Sequence, residues 1–230
     1  MSDHFRTIYG QRAADYDALV SHEDYAGNLL PALRSIVPLA QTAVVEFGAG
    51  TGRVTRLLSP LVGQIIAADA SPHMLLQAVR RQAGQPGRVA FIAGDNRQMP
   101  VRGGLADVAI AGWTFAQLCG WYPETWPYET DLAVNELLRV LKPGGTAIII
   151  ETQGTGRETP QPPAPHLAAF YRRLEDHHGF QFTWVRTDYR FESPEQTDRL
   201  IRFFFGDEMA NRFRGAVIVP ECTGIWWRQP

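Results

Sequence analysis

Glycines and carboxylates follow three consecutive predicted strands. Gly48, Gly50 and Gly52 form a turn directly between a short apolar run and a stretch with helical spacing. Glycine lets the backbone lie against a ligand and adopt positive φ angles. Asp69 ends the next apolar run, roughly 20 residues after the turn, where an acidic side chain can accept hydrogen bonds from ribose hydroxyls. Asp95 follows the third run, and we expect its carboxylate to accept from an exocyclic amine such as that of adenine. Together these residues predict a nucleoside site.

Glu46 and Arg53 indicate which kind of nucleoside the site would bind. In the dinucleotide fingerprint a third glycine packs the helix on the strand, but Arg53 occupies that position and the spacing is Gly-x-Gly-x-Gly. Glu46, two residues before the first glycine, is unfavourable beside a pyrophosphate, whereas it can orient the ammonium end of a methionyl group. The pattern therefore favours a cationic ligand, and a nicotinamide-dependent oxidoreductase remains a third alternative.

The elements that carry these residues alternate between strand and helix. Short apolar runs separated by helical spacing are typical of buried parallel strands joined by crossover helices. The sequence predicts strands at 43–47, 64–68, 89–93, 106–111, 146–151, 180–191 and 222–228, and helices at 131–141, 166–178 and from Ser193. The last strand can pair antiparallel with the sixth. Residues 5–20 are predicted as one helix, and the segment after them is interrupted by Pro31.

Four motifs in order resemble the class I S-adenosylmethionine-dependent methyltransferases of the small-molecule type. They lie at 46–52, 69–71, 94–96 and 138–145, and the resemblance is strong over 43–151. It implies an α/β, Rossmann-like, doubly wound sheet of seven strands, mostly parallel with one antiparallel edge strand and with helices on both faces. It also implies S-adenosyl-L-methionine as cofactor and S-adenosyl-L-homocysteine as product.

The resemblance assigns parts of that cofactor to particular residues. It implies that the glycine turn approaches the methionyl part, Asp69 the ribose, and Asp95 with the Asn96 backbone the adenine. The expected cofactor-binding residues are Tyr9, Tyr16, Glu46, Gly48, Ala49, Gly50, Gly52, Asp69, Ala70, Met74, Asp95, Asn96, Gly112 and Trp113.

An aromatic segment after the fourth predicted strand is the candidate acceptor pocket. Methyl transfer from a sulfonium needs mainly alignment and the exclusion of water. Residues 113–128 hold six aromatic side chains, of which we expect at least two to line a pocket, the alternative being core packing under a loop. The expected substrate-pocket residues are Phe115, Gln117, Trp121, Trp126 and Glu151.

The N-terminal segment holds the candidate catalytic residues. Tyr9 and Tyr16 are seven residues apart, so one helical face can carry both over the site. Tyr16 and His22 are the catalytic candidates, with His166 as an alternative base. Each histidine can instead be an ordinary surface residue.

Composition excludes several classes of protein. The 230 residues are 45% hydrophobic, and no apolar run approaches the roughly 20 residues that cross a bilayer. A net charge of -2 without charged blocks gives no sign of a nucleic-acid partner. The two cysteines predict neither a disulfide framework nor a metal site. We therefore expect a cytoplasmic monomer or homodimer that binds a small molecule.

One domain is expected over residues 1–230. It would comprise an N-terminal helical lid at 1–40, a cofactor-binding core at 43–151, and C-terminal helices with the last two strands at 152–230. The leading hypothesis is an enzyme that methylates a small, partly apolar or aromatic metabolite by in-line transfer. The alternative is a catalytically silent protein that binds the same cofactor as a sensor or partner subunit.

Overall fold

A seven-stranded sheet forms the centre of the molecule. The structure is a computed structural model and describes residues 2–230. The strand order is β3-β2-β1-β4-β5-β9-β6, and two short strands, β7 and β8, form a separate pair. The strands are β1 (Ala43–Phe47), β2 (Gln64–Asp69), β3 (Val89–Ala93), β4 (Ala106–Gly112), β5 (Leu141–Thr155), β6 (Gln181–Arg186), β7 (Tyr189–Arg190), β8 (Ile218–Val219) and β9 (Glu221–Arg228).

Strand direction follows from the connections. β1 to β5 are parallel, whereas β9 is antiparallel to both β5 and β6. Helices join β1 to β2, β2 to β3 and β4 to β5, and a loop joins β3 to β4. The one strand of opposite direction thus lies beside the edge strand β6. The seven-stranded, mostly parallel, Rossmann-like sheet expected from the sequence is confirmed, and so is the antiparallel pairing of the last strand with the sixth.

Helices cover both faces of this sheet. They are α1 (Ser2–Gln11), α2 (Ala13–Val20), α3 (Leu29–Ile36), α4 (Arg53–Leu58), α5 (Pro72–Gln82), α6 (Ala116–Trp121), α7 (Trp126–Arg139), α8 (Pro165–Asp176), α9 (Pro194–Phe205) and α10 (Asp207–Arg212). Side chains alternate between faces along a strand, so Val45 and Phe47 pack with α6, α7 and α8, while Val44 packs with α3 and α4. No helix within residues 2–230 is long and apolar enough to cross a lipid bilayer.

The N-terminal segment is two helices, so the prediction of one helix over 5–20 is wrong. Arg12 leaves the helical region with φ -125° and ψ 38°. The N–H of Ala13 then points to Nε2 of His73 in α5, at 3.3 Å. A contact with a distant helix thus competes with the local helical hydrogen bond, which sequence periodicity does not reveal.

The predicted strand at 180–191 is also divided. β6 ends at Arg186 and β7 begins at Tyr189, and Thr187 lies buried between them. The hydroxyl of Thr187 donates to Glu23 at 3.2 Å and lies 2.6 Å from that of Thr223. These side-chain contacts hold the chain where it leaves the large sheet for the small one.

Candidate cofactor-binding and active site

A cavity of about 290 Å³ lies at the carboxyl ends of the parallel strands, under α1 and α2. Open α/β sheets bind ligands at this edge. Fourteen residues expected in a cofactor or substrate site line it, namely Tyr9, Tyr16, Glu46, Gly48, Ala49, Gly50, Asp69, Ala70, Met74, Asn96, Gly112, Trp113, Gln117 and Trp121. Two aromatic residues of the segment 113–128, Trp113 and Trp121, line the cavity.

The glycine turn forms the floor of this cavity. Gly48 and Gly50 have φ angles of 61° and 56°, a backbone region that side chains disfavour. A Cβ at Gly48 would lie 2.1 Å from Oγ1 of Thr114, so only glycine fits. Gly52 does not line the cavity; a Cβ there would lie 3.3 Å from Ala78, and this glycine instead lets α4 pack on α5.

Asp69 binds the turn and faces the cavity. Its Oδ2 accepts from the Gly50 N–H at 2.8 Å, and its Oδ1 accepts from the Ser71 N–H at 2.7 Å. A carboxylate has about four lone-pair sites, so each oxygen keeps capacity for a further hydrogen bond. Burial raises the pKa of Asp69, while the two backbone N–H groups oppose that shift. The group can therefore accept from ligand hydroxyls.

Glu46 is a buried carboxyl group at the end of β1. Its Oε2 accepts from the hydroxyl of Thr55 at 2.5 Å. Burial raises its pKa to about 8, although the Thr55 hydrogen bonds lower it. Glu46 is therefore mostly protonated at neutral pH unless a cation enters the cavity.

Of the two expected cofactor-binding residues after β3, one lines the cavity and the other does not. Asn96 lines the cavity and donates from Nδ2 to Thr114 Oγ1 at 2.9 Å. Asp95 lies outside the lining, because Arg97 donates to both of its carboxylate oxygens, at 2.9 and 2.6 Å. Those hydrogen bonds also lower the pKa of Asp95.

The two lid tyrosines meet over the cavity. Their ring centroids lie 5.4 Å apart in an edge-to-face arrangement. Gln117 donates to the Tyr9 hydroxyl at 3.0 Å, and the Ser71 hydroxyl donates to the Tyr9 carbonyl at 2.9 Å. Burial raises the pKa of both phenols, so both keep their protons at neutral pH.

Three of the predicted pocket residues lie outside the cavity lining. Phe115 is fully buried and packs edge-to-face on Phe47, with centroids 6.1 Å apart. Trp126 starts α7 and packs on the same core cluster. Glu151 points under the loop after β4, where its Oε1 accepts from the Ala116 N–H at 2.9 Å. Burial raises its pKa to about 8, against the effect of backbone hydrogen bonds from residues 114–116.

His22 is not at the cavity either. Its Nδ1 lies 3.0 Å from the Arg190 carbonyl oxygen, and its ring packs on Phe191 at 5.2 Å. The structure thus holds this candidate base against β7 and the residue that follows it. Cys119 and Cys222 are buried free thiols, as their number and spacing indicate.

Sequence reasoning missed seven residues that line the cavity, namely Arg6, Gly10, Thr51, Arg53, Val54, Ser71 and Thr114. Thr51, Arg53 and Ser71 stand inside or beside the quoted motifs, so their position along the chain was a usable signal. Arg6 lies on an exposed turn of α1, and only the docking of that helix brings it to the cavity.

Comparisons with known proteins show which proteins the chain resembles. Residues 45–149 match the family model described as methyltransferase domain. Over 152 residues the chain is 30% identical to the demethylmenaquinone methyltransferase of Clavibacter sepedonicus, covering 62% of this chain and 58% of that one. Over 140 residues it is 28% identical to the malonyl-(acyl-carrier protein) O-methyltransferase of Buchnera aphidicola subsp. Baizongia pistaciae, covering 61% and 51%.

Among solved structures, the DhpI–SAH complex has a TM-score of 0.61 at 20% identity, covering 100% of this chain and 97% of that one. Over residues 45–149 the chain is therefore similar to methyltransferase domains, and it shares the fold of the DhpI–SAH complex. It spans between half and three fifths of the length of the two curated relatives. In this fold, β1, β2 and β4 supply the floor of the cavity, and α1 and α2 supply Arg6, Tyr9, Gly10 and Tyr16 as its cover.

Proposed function

We propose that the protein binds S-adenosyl-L-methionine in this cavity and transfers its methyl group to a small, partly apolar or aromatic metabolite. The observation that carries the proposal is the convergence of the glycine turn, Asp69 and the two lid tyrosines on one cavity of a chain that is similar to methyltransferase domains. The two curated relatives are named for demethylmenaquinone and for malonyl-(acyl-carrier protein), so their acceptors differ.

The residues present fit this cofactor. Asp69 retains lone pairs for two ribose hydroxyls. Gly48 exposes its backbone to the cavity at a position where a Cβ would overlap Thr114. The Thr51 hydroxyl is buried without a hydrogen-bond partner among residues 2–230, and Thr51 lines the cavity. An unpaired buried polar atom is costly unless a ligand completes it. In this proposal Glu46 orients the methionyl ammonium, whereas contact of Asp95 with adenine stays a prediction.

The catalytic contribution of the chain is alignment and exclusion of water. The cofactor supplies a methyl group already activated on a sulfonium, which an acceptor nucleophile can attack in line. Tyr9, Tyr16 and Trp121 cover the cavity with ring faces and edges, so the reacting atoms would be shielded from solvent. With both phenols protonated, the acceptor itself would supply the nucleophilic electron pair.

Calorimetry with S-adenosyl-L-homocysteine tests cofactor binding. We expect the wild-type protein to bind it, and Asp69→Asn to raise the dissociation constant roughly 10- to 100-fold, because hydrogen bonds to a charged acceptor are lost. Asp107→Asn is the matched control, since Asp107 lies in β4 and bonds Lys142 and the Ala43 N–H outside the cavity lining. Absence of binding by the wild-type protein would contradict the proposal.

Turnover with a panel of small acceptors separates the enzyme from the silent sensor. We expect S-adenosyl-L-homocysteine to accumulate with at least one apolar or aromatic acceptor. Tight cofactor binding without product across the panel would favour the sensor.

A further inference from the structure

Arg53 is a buried cation in the wall of the cavity. It begins α4 directly after the glycine turn, and only 17% of its side chain is exposed. Its Nη1 donates to Oε2 of Glu23 at 2.6 Å, and its guanidinium carbon lies 3.8 Å from the ring centroid of Trp113. Burial lowers the pKa of Arg53, but Glu23, Tyr189 and Tyr16 together raise it more, so the side chain stays charged. The guanidinium is fixed on two sides.

One nitrogen of this guanidinium is unpaired in the described part of the chain. Nη2 is buried and has no hydrogen-bond partner among residues 2–230. Buried donors are rarely left unpaired, and an unpaired one on a charged group is especially costly. Because Arg53 lines the cavity, a bound molecule is the natural partner for this donor.

The surroundings of Arg53 lie on the β4 and β9 side of the site, where the cofactor assignment places only Gly112 and Trp113. Glu46 lies in β1, Asp69 ends β2 and Asn96 follows β3, where most of the cofactor is expected. Arg53 instead stacks on Trp113, which follows β4, and pairs with Glu23, which bonds Thr187 next to β9. Glu221 at the start of β9 also interacts electrostatically with Arg53. The guanidinium is thus on the β4 and β9 side.

We propose that Arg53 determines acceptor specificity, its Nη2 donating to the carboxylate of a small aromatic or apolar acid bound beside Trp113. This inference rests on the proposed function, because the acid would be the methyl acceptor. A planar guanidinium that is already oriented binds a carboxylate with little loss of freedom. Trp113 and Trp121 supply the apolar surface against which the rest of the acid packs.

The test compares benzoate with neutral benzamide on protein saturated with S-adenosyl-L-homocysteine, with dissociation constants measured by NMR titration. We expect benzoate to bind the wild-type protein roughly 10- to 100-fold more tightly, as for a charge-assisted hydrogen bond. Arg53→Gln should abolish this preference. Glu23→Gln should strengthen benzoate binding, because Glu23 competes for the same guanidinium, and a merely structural role of Arg53 would not predict that gain.

Two variants control for folding. The double variant Glu23→Gln with Arg53→Gln removes both buried charges together, and it should fold and still lack the preference for benzoate. Arg56→Gln changes a partly buried arginine one turn later in α4 that pairs with Asp17 and does not line the cavity. Its ratio of the two dissociation constants should equal that of the wild type.

Three results would overturn the inference. Equal binding of benzoate and benzamide by the wild-type protein would show that the cavity does not select an acid, and it would leave the proposed function intact. An unchanged preference in Arg53→Gln would assign the acid to another cation such as Arg6. Weaker binding of S-adenosyl-L-homocysteine by Arg53→Gln, with unchanged binding of 5′-methylthioadenosine, would mean that Arg53 holds the cofactor carboxylate. Failure of the wild-type protein to bind S-adenosyl-L-homocysteine would instead defeat the proposed function itself.

Discussion

Glu46 keeps its proton at neutral pH because burial raises its pKa to about 8. A positively charged ligand beside it favours the ionised form. We therefore expect the affinity for S-adenosyl-L-homocysteine, relative to that for 5′-methylthioadenosine, to rise between about pH 6 and pH 8 and to level off near the pKa of Glu46. 5′-Methylthioadenosine carries no methionyl ammonium, so the ratio reports on the group that Glu46 is proposed to orient.

Calorimetric dissociation constants for the two compounds at several pH values check this prediction. Glu46→Gln should give a ratio that does not change with pH, because the glutamine cannot ionise. Thr55→Val is a useful companion, since it removes the hydroxyl that donates to Glu46 and should move the transition to higher pH. A flat ratio in the wild-type protein would show that Glu46 does not respond to the methionyl ammonium.

At the scale of elements, the turn between β1 and α4 fits against the segment after β4. Gly48→Ala would place a methyl group 2.1 Å from Thr114 Oγ1 and 2.5 Å from its Cβ, so the backbone must move. Gly144→Ala is the matched control, because Gly144 has a φ of 78° but open space around the added Cβ. Both changes carry backbone strain of ~1 kcal/mol, and only the first also displaces a cavity wall.

We expect Gly48→Ala to lower the melting temperature more than Gly144→Ala does and to weaken binding of S-adenosyl-L-homocysteine at least tenfold. Gly144→Ala should leave that binding unchanged. Scanning calorimetry and binding titrations on the two variants provide the measurement. Equal effects of the two substitutions on cofactor binding would mean that the overlap with Thr114 relaxes without cost.

Over the whole molecule, buried carboxyl groups set the pH dependence of stability. Burial raises the pKa of Glu46 and Glu151 to about 8 from an ordinary value of 4.5, and it also raises the pKa of Glu221. Between pH 4.5 and about pH 8 these carboxyl groups keep their protons in the folded protein but have lost them in the unfolded chain. The free energy of unfolding therefore falls as pH rises, by up to ~1.4 kcal/mol per pH unit for each group.

Urea unfolding at pH 7 and pH 8 tests this sign. The window lies above the ordinary pKa of histidine, where the lowered pKa of His178 no longer contributes, and far above the lowered pKa values of Asp95 and Asp107. We expect lower stability at pH 8, and a smaller decrease in Glu151→Gln. Stability that is constant or higher at pH 8 would contradict the raised pKa values.

Much of the fold could be predicted because apolar runs and glycine turns are local signals. The runs at 43–47, 64–68 and 89–93 coincide with β1, β2 and β3 within a residue. Side-chain direction at strand ends was not predictable. Glu151 ends a predicted strand beside the site, yet it turns inward to the N–H groups of residues 114–116, and Asp95 turns to Arg97.

The lid depends on contacts that are remote in sequence. The break at Arg12 depends on His73, and the position of His22 depends on Arg190 and Phe191. Arg53 was noted from the sequence only as the absence of a glycine. Its contacts with Glu23 and Trp113 join segments that no periodicity relates, so its part in the cavity emerged only from the folded structure.

The place of β9 between β5 and β6 has a consequence for biosynthesis. β6 precedes β9 along the chain but pairs with no other strand of the large sheet. During translation β6 therefore cannot join the sheet, and one edge of β5 stays unpaired, until the residues of β9 have left the ribosome. For that interval the nascent chain exposes unpaired strand edges, which favour aggregation.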